Sequence, residues 1–231
     1  MKKCLVVIIL SVICSYSIAQ TINVHFNNGS VINFKSENVK YIDFSEKENP
    51  AEVSDAEAID LGLSVLWASC NLGAKKPEQG GDKYAWGETK TKTSFEAEDY
   101  AYYDKDLKVC TNIGYSIAGT EFDAATQNLG KGWMIPTYVQ FYELKEKCTW
   151  EWTKINDVLG YKITGMNGNS IFLPAIYYEN SGRYWTSVMS KDDGTRMDYA
   201  SSFFINPDVY WGDLNQEKFK GLYIRPIKVK E

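Results

Sequence analysis

The chain has 231 residues, 30 acidic against 25 basic, with a formal net charge of −5, 44% hydrophobic and 14% aromatic content. That length fits one large domain or one domain with a small appendage, and the apolar fraction excludes disorder as a description of the whole chain. An acidic surface without a Lys/Arg cluster repels phosphate, so nucleic acid is excluded as a default partner.

Residues 1–19 read as a secretory signal. Lys2 and Lys3 precede an apolar run from Leu5 to Ile13, and Ser17-Ile18-Ala19 supplies the small residues of a cleavage site before Gln20. The run is shorter than the ~20 residues that a membrane span needs. A lipoprotein reading would acylate Cys14, but Ile13 stands where a small residue is wanted, so the chain is read as secreted and not membrane-spanning. Removing Lys2 and Lys3 takes the formal charge from −5 to −7.

Residues 20–45 read as a small β unit. Ile22, Val24 and Phe26 alternate, Asn28-Gly29 supplies a hairpin turn, and Val31, Ile32 and Phe34 follow. Val39–Phe44 adds a third short strand. Residues 46–57 are charged, contain Pro50 and read as a linker, so the main domain is expected over 58–231. Ile59–Leu61 and Ser64–Ser69 read as strands around Gly62. The stretch 73–121 is long and irregular, with an aromatic strand at Tyr84–Trp86. Loops of this length serve a function or pack through their own side chains, and Tyr100, Tyr102 and Tyr103 are candidates for packing this one down.

Two helices are predicted. Asp123–Leu129 has Asp123 as its cap and Gly130 as its terminator. Residues 137–148 open on a capping box, Thr137 with Gln140, and carry Tyr138, Phe141, Leu144 and Cys148 at helical spacing. Strands follow at Tyr161–Thr164 and Ser170–Leu173 around an Asn167-Gly168 turn, then at Tyr184–Val188, Ser201–Ile205, Val209–Trp211 and Leu222–Val229. The composite is α+β, with two short helices among many short antiparallel strands. Trp67, Trp133 and Trp185 sit inside apolar strands and are assigned to the core.

The candidate chemistry is thin. His25, the single histidine, falls in the small N-terminal unit, so nucleophile–histidine arrangements lack a base in the main domain. Cys70, Cys110 and Cys148 remain after the signal and show no metal-ligand spacing. They read either as buried thiols or as one disulfide with a thiol left over, and Cys70–Cys148 is the candidate pair. No cofactor is implied. The aromatic residues are the best lead to binding, because sugars stack C–H faces on exposed rings and proteins cover apolar patches. Tyr177, Tyr178, Tyr210, Trp211 and Tyr223 fall near strand ends and turns. Asn206-Pro207-Asp208 and Trp211-Gly212-Asp213 read first as tight bends. The ligand-binding candidates are therefore Tyr178, Asn206, Asp208, Tyr210, Trp211, Asp213 and Asn215.

Several segments occur in a recognisable order. They are Asp60-Leu61-Gly62-Leu63-Ser64-Val65-Leu66-Trp67-Ala68, Tyr84-Ala85-Trp86-Gly87-Glu88, Asp123-Ala124-Ala125-Thr126, Gly132-Trp133 with Pro136-Thr137, and Cys148-Thr149-Trp150. Asn169–Ala175, Tyr184-Trp185-Thr186-Ser187 and Ile224-Arg225-Pro226 complete the set. Together they resemble the Fibrobacter succinogenes major paralogous domain family, over about residues 56–229. That resemblance implies a C-type lectin-like fold related to formylglycine-generating enzymes, with the terminal strands of the domain side by side and a long loop region at one end. It does not carry over oxidase chemistry, since the cysteines fall too early in the chain. Sugar-binding C-type lectins also use Trp-Asn-Asp and Glu-Pro-Asn calcium ligands, which this chain lacks, so no metal is expected. The family's glycine–tryptophan element usually carries Arg where Met134 or Ile135 stands. The expected function is non-catalytic recognition of a glycan or protein at or beyond the cell surface. The alternatives are a structural component of a surface assembly and a glycan-active enzyme using two carboxylates.

Overall fold

A computed structural model of the chain describes residues 21–25, 31–35, 56–190, 198–208 and 213–230. Residues Met1–Glu48 and Asn49–Glu231 form two separately compact units. In the first, β1 (Thr21–His25) and β2 (Val31–Lys35) pair antiparallel, with Thr21 opposite Lys35 and His25 opposite Val31. The signal segment, the Asn28-Gly29 turn and the strand expected at 39–44 lie outside the described residues.

The second unit is α+β. Its strands are β3 (Ala58–Ile59), β4 (Val65–Ala68), β5 (Tyr103–Asp104), β6 (Val109–Cys110), β7 (Trp133–Met134), β8 (Thr149–Ile155), β9 (Val158–Thr164), β10 (Ser170–Pro174), β11 (Gly182–Met189), β12 (Tyr199–Ile205), β13 (Asp213–Glu217) and β14 (Ile227–Val229). Its helices are α1 (Ala124–Leu129) and α2 (Tyr138–Lys147). The sheets run β3-β4-β14-β7, β10-β9-β8, β11-β12-β13 and β5-β6, every ladder antiparallel. The first and last strands of the unit therefore meet in one sheet, with Ile227 opposite Trp67 and Val229 opposite Val65.

Both helices start where local chemistry directs. Asp123 accepts from the amides of Ala125 and Thr126, and Gly130 ends α1 at φ +89°, where a Cβ would be strained. Thr137 Oγ1 accepts from Gln140 N at 3.3 Å while Gln140 Oε1 accepts from Thr137 N at 2.7 Å, closing the capping box. Helix α2 buries Phe141 and Leu144. Phe141 stacks on Phe203 at 4.3 Å with nearly parallel planes and meets Trp67 at 5.1 Å. Trp67, Trp133 and Trp185 are buried. Trp86 is buried too, its indole N–H donating to Thr186 O at 3.0 Å.

Some expected elements differ. Strand β8 was not anticipated. It joins β9 through Asn156-Asp157, both at positive φ, in the two-residue turn that suits a twisted hairpin. Tyr84–Trp86 makes only an isolated bridge, Tyr84 to Leu222. The single strand expected over 222–229 is broken. Tyr223 bridges Tyr184 in parallel, and the ladder resumes only at Ile227, after Pro226, which has no N–H to donate. The irregular 73–121 stretch is packed by its own rings. The Tyr100 hydroxyl donates to Trp86 O at 2.6 Å, and the Tyr100–Tyr102 and Tyr102–Phe122 pairs meet edge to face at 5.5 Å.

Cys70, Cys110 and Cys148 are free thiols, so the Cys70–Cys148 bridge is not formed. Cys70 is buried and its thiol donates to Ala74 O at 3.1 Å. Burial, then Asp198, pushes the Cys110 thiol up to about 12.

Candidate functional site

One end of the β11-β12-β13 sheet gathers several of the sequence candidates. Tyr178 and Ser181 bridge across a two-residue turn, Glu179-Asn180, with both central residues at positive φ. Ser181 N donates to Tyr178 O at 2.8 Å and Tyr177 N to Ser181 O at 2.7 Å. Asparagine tolerates this backbone, while Glu179 adopts it at a cost. The turn holds Tyr178 out in solvent, 67% exposed. The next residue, Gly182, pairs with Ile205, the last residue of β12. That rung delivers Asn206-Pro207-Asp208 to the same end of the sheet.

The 206–208 bend is pinned from below. The Tyr161 hydroxyl, on β9, lies 3.0 Å from Asn206 O and 3.3 Å from Pro207 O. Asn206 Oδ1 accepts from Asp208 N at 3.1 Å, an Asx turn. Asp208 is exposed. The chain returns with Asp213 opposite Phe203. Tyr210 and Trp211 lie outside the described residues, as does the side chain of Asp213. Asn215 does not join the group. It sits two rungs beyond the Asp213–Phe203 pair, opposite Ser201, and its Oδ1 accepts from the Ser190 hydroxyl at 2.6 Å.

Tyr177 and Tyr223, both named from the sequence, share a cation that sequence reasoning missed. Lys83 Nζ stands 5.6 Å from the Tyr177 ring centre and 5.3 Å from that of Tyr223. Arg183 is half-buried and donates from Nε to Ser202 Oγ at 3.1 Å. Burial lowers the Arg183 pKa, with Tyr177 opposing. The Tyr223 hydroxyl reaches Ile176 O at 3.5 Å, and burial raises its pKa. Neither Lys83 nor Arg183 forms an ion pair among the described residues. No local signal marks either one, since each follows a turn and reads as a solvated charge.

Two carboxylates elsewhere, Asp123 and Glu143, are committed to structure. Asp123 is fully buried, and burial raises its pKa against four backbone donors. It accepts from Gly119 N at 2.8 Å and Ile135 N at 3.0 Å besides capping α1, so it ties a loop, a helix start and the residue after β7 together. Glu143 lines a shallow depression with Val139, Gln140, Tyr142 and Ser64. Burial raises its pKa, but hydrogen bonds from Ser64 and Lys147 outweigh that and leave it lowered. A general acid needs the opposite shift. Among the described residues no group of three or more His, Cys, Asp or Glu side chains is arranged to hold a metal, and no helix is long and apolar enough to cross a membrane.

Comparison with protein-family models, with curated proteins and with solved structures finds no match to this chain. The turn-and-ring cluster at the Gly182–Ile205 end of the sheet is thus its candidate functional site on geometry alone.

Proposed function

We propose that this chain is a secreted, non-catalytic recognition module that binds a glycan or protein ligand at or beyond the cell surface. The observation that carries the reading is the Gly182–Ile205 rung, which sets two tight turns side by side with Tyr178 exposed at one tip. Turns anchored on a rigid sheet present side chains with little entropic cost on binding. The resemblance to the Fibrobacter succinogenes major paralogous domain family, with its C-type lectin-like fold, belongs to the same proposal. The pairing of β4 with β14 supports it, because that resemblance implies terminal strands side by side. Export rests on the N-terminal signal pattern.

The test is a glycan array together with a pull-down from surface extracts, run with the purified protein and with Tyr178→Ala. A specific ligand weakened about tenfold by that substitution is expected, the scale of one lost ring contact. A well-folded protein that captures nothing in either screen would sink the proposal.

The division of the chain into two units favours a second reading, a structural part of a surface assembly joined through the N-terminal hairpin by strand addition. Deleting residues 21–44 separates the two. Loss of assembly with ligand binding intact supports the second.

A further inference from the structure

The tip of the β9–β10 hairpin carries an Asn-Gly pair, Asn167-Gly168; the chain's other such pair, Asn28-Gly29, lies outside the described residues. Residues 166–170 are exposed, and Gly168 stands at φ +85° with no atom within 4 Å of where a Cβ would sit. The polar groups of this open tip are nevertheless held. Asn167 Nδ2 and Asn169 Nδ2 both donate to Asp60 O at 2.8 Å. Asn167 Oδ1 accepts from Asn169 N at 3.2 Å, and Gly168 N donates to Gly165 O at 3.0 Å. Asp60 Oδ1 in turn accepts from Gly62 N at 2.8 Å and from Lys230 Nζ at 2.9 Å. The tip is thus clasped to the turn between β3 and β4, and through Lys230 to the residue after β14.

We infer that Asn167 is a covalent modification site, converting to aspartate and isoaspartate through a cyclic imide, and that the clasp gates the conversion. This is independent of the recognition reading above. The pair supplies both reactants, a side-chain amide and the next main-chain N–H, and glycine has no Cβ to crowd their approach. Gly168 N bonds to Asn167 Cγ, the Cγ–Nδ2 bond breaks, and the nitrogen leaves as ammonia with the proton that Gly168 gives up. Water then opens the imide. Cleavage at Cγ restores the chain with an aspartate, and cleavage at the main-chain carbonyl carbon routes the chain through the side chain as isoaspartate. Nothing is oxidised or reduced. Either product replaces the Nδ2 donor by a carboxylate, which accepts only, so the bond to Asp60 O is lost. Closing the imide requires three hydrogen bonds to be given up: Gly168 N to Gly165 O, Asn167 Nδ2 to Asp60 O and Asn169 N to Asn167 Oδ1. Each is worth about fivefold in a local opening equilibrium, so the clasp protects Asn167 about a hundredfold. Because the ammonia is lost, the converted fraction records how long the tip has stood open.

The experiment incubates the full-length protein in mildly alkaline buffer, native and in urea. Peptide mapping by mass spectrometry reads the amide-to-acid mass gain at Asn167 apart from that at Asn28. The expected result is conversion at Asn167 about a hundredfold slower in the native protein than in the unfolded chain, with aspartate and isoaspartate both formed. Asn169→Ala removes the second donor on Asp60 O and leaves the reacting pair intact. It should speed native conversion about fivefold and leave the rate in urea unchanged. Lys230→Met loosens the same turn through the Asp60 carboxylate and carries the test if Asn169→Ala fails to fold, which thermal unfolding checks. Gly168→Ala should slow conversion in the unfolded chain, as attack by the main-chain nitrogen requires. Equal rates in native protein and urea overturn the gating, and so does native conversion no faster in either loosened variant than in the parent. Absence of conversion in the unfolded chain overturns the site itself.

Discussion

Arg225 and Lys218 are both fully buried cations, seven residues apart, and their surroundings could hardly differ more. Arg225 Nε donates to Asn71 Oδ1 at 2.9 Å, one terminal nitrogen to Ala68 O at 2.9 Å and the other to Phe172 O at 2.6 Å. Its fork thereby joins the end of β4 to β10 next to the approach to β14. Lys218 Nζ lies 4.8 Å from the centre of the Trp86 ring and has no hydrogen-bond acceptor. A planar guanidinium can satisfy several fixed carbonyls at once, whereas an ammonium on a flexible stem found only a π face here. Burial is thus not a measure of importance. One buried charge fastens the core, and the other stands near Cys110 and Asp198 without an acceptor of its own.

The comparison breaks most easily at Arg225. Arg225→Met leaves three buried acceptors unpaired and should cost about 3–5 kcal/mol, read from the shift in urea midpoint. A loss under about 1 kcal/mol would remove the distinction between the two sites. Asn71→Ala comes next. It strips one acceptor from Arg225 and the donor that Asn71 Nδ2 gives to Gly80 O at 3.0 Å, for a cost of about 1–3 kcal/mol.

Lys218→Met should lie within about 1 kcal/mol of the parent at neutral pH, on either side. Its pH dependence sharpens the contrast. Burial pulls the folded-state pKa of Lys218 below 10.5, with Cys110 and Asp198 opposing. The unfolded chain then binds more protons in the alkaline window that ends at 10.5, so parent stability rises through that window relative to Lys218→Met. A difference that is flat or falls there would contradict the assignment. The smallest effect is in thiol labelling at pH 8. Half-exposed Cys148 should react with a maleimide well before Cys70 or Cys110, because both of those are buried and burial also raises the Cys110 thiol pKa.

Legibility in the sequence followed range. The Thr137–Gln140 box, the Asp123 cap and the Asn167-Gly168 hairpin depend on residues within a few positions of one another, and each was readable. The β8–β9 hairpin was overlooked because Asn156-Asp157 lacks the glycine that usually marks such a turn, and β8 mixes Trp150 and Trp152 with Glu151 and Lys154. Arg225 was visible only as part of an Ile-Arg-Pro motif. Its partners lie 154, 157 and 53 residues away, so its role could not be read locally. In Glu217-Lys218-Phe219-Lys220 the charge pattern reads as solvated, and only the tertiary fold buries Lys218. At the candidate site, Tyr178, Asn206 and Asp208 were picked separately as turn residues. It took the β11–β12 register to bring them together, and the same register placed Asn215 elsewhere.

The placement of β3 and β14 on either side of β4 has a consequence for engineering. Ala58 faces Ala68 and Val229 faces Val65, so the two points lie two strand spacings and three rungs apart, roughly 14 Å. A linker of about six residues spans that gap. New termini could then be opened at the exposed Met166–Asn169 tip, giving a circular permutant whose ends emerge far along the chain from the turns of the candidate site.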